Sequence, residues 1–417
     1  HRRRWIPHGL RRLTTLHPRP RLLACSHHAN ASFSAFPGKA TRGSAILLSQ
    51  GDSSTCGGNV SVETWGRHKE KTTTLLIESK KLPPGARRGL ARGQRYYKIA
   101  PGIYTERARW EALARDDKLR LHGVAHVLSC TNGILCGQSA ALMWGLPLAG
   151  RANPNAEIGF YPPEGTTAKL HLRTPRPLHA TAANRAETLQ IETANGLREV
   201  RLTSVNDTII DLARWHSVAD AVVAAEFAAR AAMSGLGTPE FIAELRADAN
   251  GLRKLRGISK TRESLRLING ASESPRESAL KVKLWEAGLP APLQQVELHY
   301  EGYFAGRVDF FYPCGLVIEY DGRSKYQPRK AGSDASGVMG GGMVNEEVFA
   351  ARQIISERAR ERKLQNLGAR IYRVDRDNFR DGTAVADICR LHRQMTRNGL
   401  EFPATNYRGG VPAWEAP

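Results

Sequence analysis

The stretch RVDFFYPCGLVIEYDG, residues 307–322, sets three carboxylates inside apolar, strand-like sequence: Asp309, Glu319 and Asp321. A buried carboxylate without a partner is strongly destabilising. A chain that folds this stretch must satisfy the acids with its own donors and cations, or with a metal ion. Successive strand residues point to opposite faces, so Glu319 and Asp321 share one side while Ile318 and Tyr320 take the other. If the strand carrying Asp309 pairs beside this one, the three carboxylates converge, and Glu277 from a preceding helix can join them. Hard oxygen ligands of this kind suit Mg2+ or Mn2+. Such an ion lowers the pKa of its water and stabilises phosphoryl oxygens during hydrolysis. Two structural readings stand beside this one. Asp-Gly is a common hairpin turn, which accounts for Asp321. Asp309 can pair with Arg307 or with an arginine of a later helix.

The surrounding sequence predicts the order α-β-β-β-α-β-α. Pro275 and Glu277 suit the first turn of a helix, which Gly288 and Pro290 end. LQQVELHYEGYFAGRVDFFYP reads as two strands joined at Glu301-Gly302, and GLVIEYDG as a third. After a Gly-rich interruption, NEEVFAARQIISERARERKLQNLG predicts a long helix ended by Gly368, ARIYRV a strand, and AVADICRLHRQMTRNGL a final helix.

Charge narrows the partners. The net charge of +21 points to an anionic partner, most often nucleic acid, but residues 1–100 hold 19 Lys/Arg against 4 Asp/Glu, a net +15. The other 317 residues carry only +6. The cysteines, Cys25, Cys56, Cys130, Cys136, Cys314 and Cys389, form no C-x-x-C pair and no zinc spacing, which suits a reducing cytosol. No apolar run is long enough to span a membrane.

Residues 1–71 are rich in Arg, His and Pro and lack a sustained period, so they read as a basic leader, disordered or foreign to the folded product. Residues 72–105 read as a winged helix-turn-helix. TTTLLIESKKL predicts a short helix, Ala86 to Arg92 a basic one, and YYKI-APG-IY a hairpin wing. Arg87, Arg88, Arg92, Arg95 and Lys98 would face phosphates; the plainer reading is a solvated basic surface. Residues 106–233 suit a small mixed α/β domain, with a helix capped by Ser204 or Asn206 whose acids Asp207 and Asp211 favour its dipole. Residues 234–273 read as a charged helical bridge, 274–400 as the carboxylate domain, and 401–417 as a flexible tail. The fold class is therefore α/β (α+β).

Glu277, Asp309, Glu319, Asp321, Lys325-Tyr326 and SERARERKLQNLGARIYRV resemble the very-short-patch-repair (Vsr)-like branch of the PD-(D/E)xK nucleases. PAPLQQV is similar to that family's Pro-x-x-Gln entry strand, on Pro292 and Gln295. GLARGQRYYKIAPGIY, CGQSAALMWGLPL and LTSVNDTIIDLA resemble the AbiEi-like antitoxins of bacterial type IV toxin–antitoxin systems. The resemblances imply an N-terminal winged helix-turn-helix, a small α/β middle domain and a C-terminal restriction-endonuclease-like α-β-β-β-α-β domain. They imply Asp309 and Glu319 as metal ligands and Glu277 as a ligand or water-orienting acid. Gln295 would support the site, and Lys325 would give positive charge toward the scissile phosphate. Arg358, Arg360 and Arg362 lie on the long helix, where DNA backbone contacts are expected. The nuclease signature has Lys two residues after the acid, where this chain has Asp321. The expected function is Mg2+- or Mn2+-dependent DNA hydrolysis of toxin–antitoxin or phage-defence type, in the bacterial cytoplasm at the nucleoid, with DNA and a cognate toxin as partners. The alternative is a non-catalytic antitoxin-like regulator with an inactive nuclease fold.

Overall fold

The computed structural model describes residues 73–92, 94–130, 132–152, 155, 157–160, 175–231, 235–321 and 357–415. The basic leader, Lys325 and the Gly-rich interruption lie outside them. The described chain is mixed α/β with three sheets.

The first sheet has strand order β1-β3-β2, with β1 at Ile77–Glu78, β2 at Tyr96–Ala100 and β3 at Ile103–Glu106. Helix α1, Pro84–Ala91, lies between β1 and β2 in the chain. The predicted basic helix and hairpin are therefore present, and the hairpin turns at Gly102, whose φ of 76° is left-handed. The helix expected within TTTLLIESKKL is corrected. Ile77 and Glu78 pair with Tyr104 and Ile103, and Ser79–Lys81 is a single 3-10 turn. The cause is tertiary: Leu76 is fully buried, its carbonyl accepts from Ala194 N at 3.0 Å, and Glu78 N donates to Asn195 Oδ1 at 2.6 Å. Long-range bonds override local propensity here.

Helix α2, Arg107–Ala112, and helix α3, Arg115–Ser129, lead to a second, mixed sheet of order β6-β5-β4-β8-β7. Its strands are β4 Ile134–Leu135, β5 Ile158–Phe160, β6 Pro175–Pro177, β7 Glu187–Thr193 and β8 Gly196–Leu202. Helices α4, Gly137–Trp144, and α5, Ala180–Asn184, fall between them in sequence. Helix α6, Val205–Trp215, starts at Ser204, whose side chain caps Asp207 N. Asp207 is held at both oxygens by Arg185, at 2.7 and 3.1 Å, and Asp211 by Arg214 at 3.2 Å. These acids are structural.

Helices α7, Val218–Arg230, α8, Thr238–Gly251, and α9, Ile258–Leu265, precede α10, Pro275–Glu286. The third sheet then runs β12-β11-β10-β9-β13. Its strands are β9 Leu293–Tyr300, β10 Tyr303–Tyr312, β11 Leu316–Tyr320, β12 Arg370–Val374 and β13 Tyr407–Pro412. Residues 357–366 form α11, ahead of β12; α12, Arg376–Asp381, and α13, Thr383–Arg397, follow it. The β9–β10 hairpin turns at Glu301-Gly302, with φ of 48° and 83°, the geometry that a two-residue turn of primed type requires.

Two expectations are corrected here. Residues 234–273 are not a bridge between separate cores. Phe241, Leu245 and Leu265 share one apolar cluster with Ile209 and Val222 upstream and with Leu280, Phe310 and Ile318 downstream. The tail is not free either: β13 pairs antiparallel with β9, and Phe402, Ala413 and Trp414 are buried. Phe402 packs on Phe311 with ring centroids 5.3 Å apart, so apolar burial holds the segment. On the other face of the sheet, Val296, Val308, Phe311 and Val317 pack with Leu364 and Leu367 around α11. The strand bearing Glu319 is thus covered on both faces. Among the described residues no helix is long and apolar enough to cross a membrane.

Candidate functional site

Strand register assembles the site. The β10–β11 ladder ends at Phe310–Ile318, and Asp309 and Glu319 are the next residues on the two strands. Glu319 in turn pairs with Arg373 in the parallel neighbour. On the other side, the pairs Val308–Val296 and Phe310–Gln294 bracket Asp309 and set it opposite Gln295. Gln295, Asp309, Glu319 and Arg373 therefore lie at neighbouring positions on four adjacent strands. Asp309 Oδ2 accepts from Tyr320 N at 2.9 Å, which ties the acid to the neighbouring strand.

Gln295 has a φ of 55°, left-handed for a residue with a side chain. Such a conformation costs on the order of 1 kcal/mol and persists where surrounding contacts enforce it. The irregularity reverses the strand's alternation: Gln294 is fully buried among Ser272, Asn269 and Lys281, while Leu293 and Val296 both pack on the α11 side. Gln295 Nε2 stands 3.4 Å from Glu277 Oε2.

Glu277 occupies the first turn of α10. Ser274, the N-cap, accepts from Glu277 N at 3.2 Å and donates to Glu277 Oε1 at 2.8 Å. Glu273 N donates to Oε2 at 2.8 Å. This is a variant of the capping box. Burial, and next the charge of Asp309, push the Glu277 carboxyl up to about 7. Burial also raises Asp309, with the charges of Glu319 and Glu273 adding to it against the Tyr320 N–H. Like charges held together out of water raise one another.

Glu319 is only 7% exposed. Arg360 Nη2 from α11 lies 2.6 Å from its Oε1, and Arg373 Nη2 lies 3.7 Å from its Oε2. Glu357 bridges the two arginines, at 3.2 and 3.1 Å. Asp309 does not take Arg307, which pairs with Glu273 at 2.7 Å. Asp321, expected on the strand face of Glu319, lies just past the end of β11, with its N–H on Val374 O at 2.8 Å. Lys325 lies outside the described residues.

Asp309 and Glu319 suit a divalent cation that keeps most of its water, because Mg2+ is commonly bound through one or two carboxylates plus substrate phosphates. Glu277 is spent on the helix cap, and among the described residues no three acids, histidines or cysteines are gathered into a ready ligand set. Arg358 and Arg362 are exposed on α11. In the N-terminal sheet, Arg88, Arg92 and Lys98 are exposed. Arg87 and Arg95 are exposed as well; Arg87 donates to Leu82 O and Lys80 O, and Arg95 pairs with Glu106 at 3.5 Å. Sequence reasoning missed Arg373, which only the parallel β11–β12 register brings to Glu319. No family model matches the chain, and no curated protein matches it.

The raised Glu277 predicts a pH dependence. Its carboxyl ionises near 7 when folded, against a reference of 4.5. Between these values the folded state keeps a proton that the unfolded chain has released. Stability therefore falls as pH rises from about 4.5 to about 7 and levels above it. The Glu277 share is on the order of 3 kcal/mol. Urea unfolding across that range is expected to show the slope in the wild type and a shallower one in Glu277→Gln, with Asp309 supplying the remainder. Equal slopes would show that Glu277 ionises normally.

Proposed function

We propose that the chain is a DNA-binding protein whose C-terminal region hydrolyses phosphodiester bonds with Mg2+ or Mn2+ held by Asp309 and Glu319. The observation that carries this reading is that Asp309 and Glu319 follow the last β10–β11 pair on neighbouring strands, where the charge of Glu319 acts on Asp309, with Glu277 on the helix before them. The order α10-β9-β10-β11-α11-β12 supports the restriction-endonuclease-like fold that the Vsr-like resemblance implies. The β1-β3-β2 sheet, with α1 and exposed Arg88, Arg92 and Lys98, supports a winged DNA-binding module of AbiEi-like type.

When bound, the cation supplies an activated water and a counter-charge for the phosphoryl oxygens. Asp309 is held by Tyr320 N–H and Glu319 by its arginines, so their carboxylates are pre-positioned. Glu277, whose oxygens are tied to Ser274, the Glu273 N–H and Gln295, would act on a water only through its remaining lone pairs. Arg360 stands nearest to these acids among the α11 arginines and offers positive charge toward a phosphate.

A second reading is a non-catalytic, antitoxin-like regulator that binds DNA and a cognate toxin. Asp321, standing where the signature has Lys, and the Arg360 contact that neutralises Glu319 favour it. Nicking of supercoiled plasmid with Mg2+ or Mn2+, beside EDTA, separates the two. Metal-dependent nicking is expected. DNA retained in a shift assay without nicking would establish the regulator.

A further inference from the structure

Arg360 makes more of the site than a helix arginine needs to. Its Nη2 reaches Glu319 Oε1 and also donates to Arg307 O, both at 2.6 Å, while Nη1 pairs with Glu357 at 3.2 Å. The side chain passes over Gly306, where an added Cβ would stand 2.7 Å from Arg360 Nε. Gly306 is thus the residue that lets the guanidinium lie along β10 toward the carboxylates. The Arg360 side chain is 27% exposed, whereas that of Glu319 is 10% exposed. The arginine is open to solvent and its partner is not.

The contact is single-pronged. Only Nη2 bonds Glu319, and it does so through one oxygen. A bidentate fork would be harder to open. Glu357 and Arg307 O offer the guanidinium other acceptors. A cation on Glu319 and a guanidinium on the same carboxylate would be two positive charges a few ångströms apart, so they oppose one another. An incoming phosphate gives the guanidinium a new anionic partner.

We infer that Arg360 is an exchangeable counter-charge, which holds Glu319 until a divalent cation takes that carboxylate and then turns to a phosphate of the DNA. The inference rests on the reading of Asp309 and Glu319 as the cation-holding pair. It makes cation binding and DNA binding cooperative, and by linkage each raises the other's affinity by the same factor. Arg360 is a positioning and gating residue, and its effect is on the order of binding steps rather than on the reacting atoms.

Mn2+ titrated into the full chain, with free Mn2+ read by electron paramagnetic resonance, tests this. Without DNA, Arg360→Gln is expected to bind Mn2+ on the order of tenfold more tightly than the wild type. With a short random-sequence duplex added, and its own Mn2+ binding subtracted, the wild type is expected to tighten by a larger factor than Arg360→Gln, whose tightening comes from the phosphate ligand alone. Arg360→Lys keeps the charge and is expected to follow the wild type without DNA; should the glutamine variant fail to fold, Arg360→Met, which keeps the apolar stem and removes the charge, is read in its place. Equal Mn2+ affinity and an equal response to DNA in wild type and Arg360→Gln, with binding lost in Asp309→Asn, would overturn the exchange and leave the carboxylate pair standing. Absence of Mn2+ binding in every protein would overturn both.

Discussion

Asp309→Asn is expected to lower metal-dependent plasmid nicking by on the order of a thousandfold or more, with duplex affinity nearly unchanged. The substitution keeps the size of the side chain and an oxygen that can still accept from Tyr320 N, so the β10–β11 connection survives. It removes the charge that interacts with Glu319 on the neighbouring strand. It also removes the second-largest cause of the raised Glu277 carboxyl, so the stability slope between about pH 4.5 and 7 should become shallower in the same variant. The two readouts answer different questions. Nicking retained in Asp309→Asn would show that Asp309 holds no metal. A slope unchanged in a folded variant would show that Asp309 and Glu277 do not sense one another.

The largest expected loss of stability lies away from the carboxylates. Lys281 on α10 is fully buried and pairs with Glu226 on α7, which is 1% exposed. Lys281 also donates to Asn269 Oδ1 at 3.2 Å and to Gln294 Oε1 at 3.4 Å, and Asn269 N donates to Glu226 at 3.1 Å. Burial pulls the lysine down, and the charge of Glu226 opposes that pull. Removing one member strands the other charge in the core, so Lys281→Met is expected to cost about 3–5 kcal/mol in urea unfolding. The double variant Lys281→Met with Glu226→Leu should recover most of that loss, because a buried ion pair is often no better than an apolar pair of similar volume. A single-variant cost under about 1 kcal/mol would mean that Glu226 finds another partner or takes up a proton. The pair joins α7 to the helix that carries Glu277, so it also holds the candidate site against the upstream helices.

Legibility in the sequence followed distance along the chain. The Glu301-Gly302 turn, the Ser274-Pro275 helix start and the strand character of residues 303–320 were readable, because each depends on neighbours a few residues away. The same holds for Ser204 as a cap. The segment Thr72–Leu82 misled for the complementary reason. Its helical propensity is local, whereas the bonds from Ala194 and Asn195 come from more than a hundred residues on. The tail at 401–417 carries no strong strand pattern, and it orders because β9 offers an edge and Phe311 a partner for Phe402.

By itself the sequence determined that Glu319 alternates with apolar neighbours along a strand that Asp321 follows, that a second strand carries Asp309, and that a helix starting at Pro275 brings Glu277. Alternation and capping follow from backbone geometry within a few residues. Only the tertiary structure decided that Asp309 and Glu319 come side by side at the end of the β10–β11 ladder, that Gln295 turns left-handed beside them, and that Arg360 and Arg373 stand on Glu319 while Arg307 takes Glu273. It also joined Lys281 to Glu226 across two helices. Register and long-range pairing depend on which distant segments share a core, and local pattern leaves that choice open.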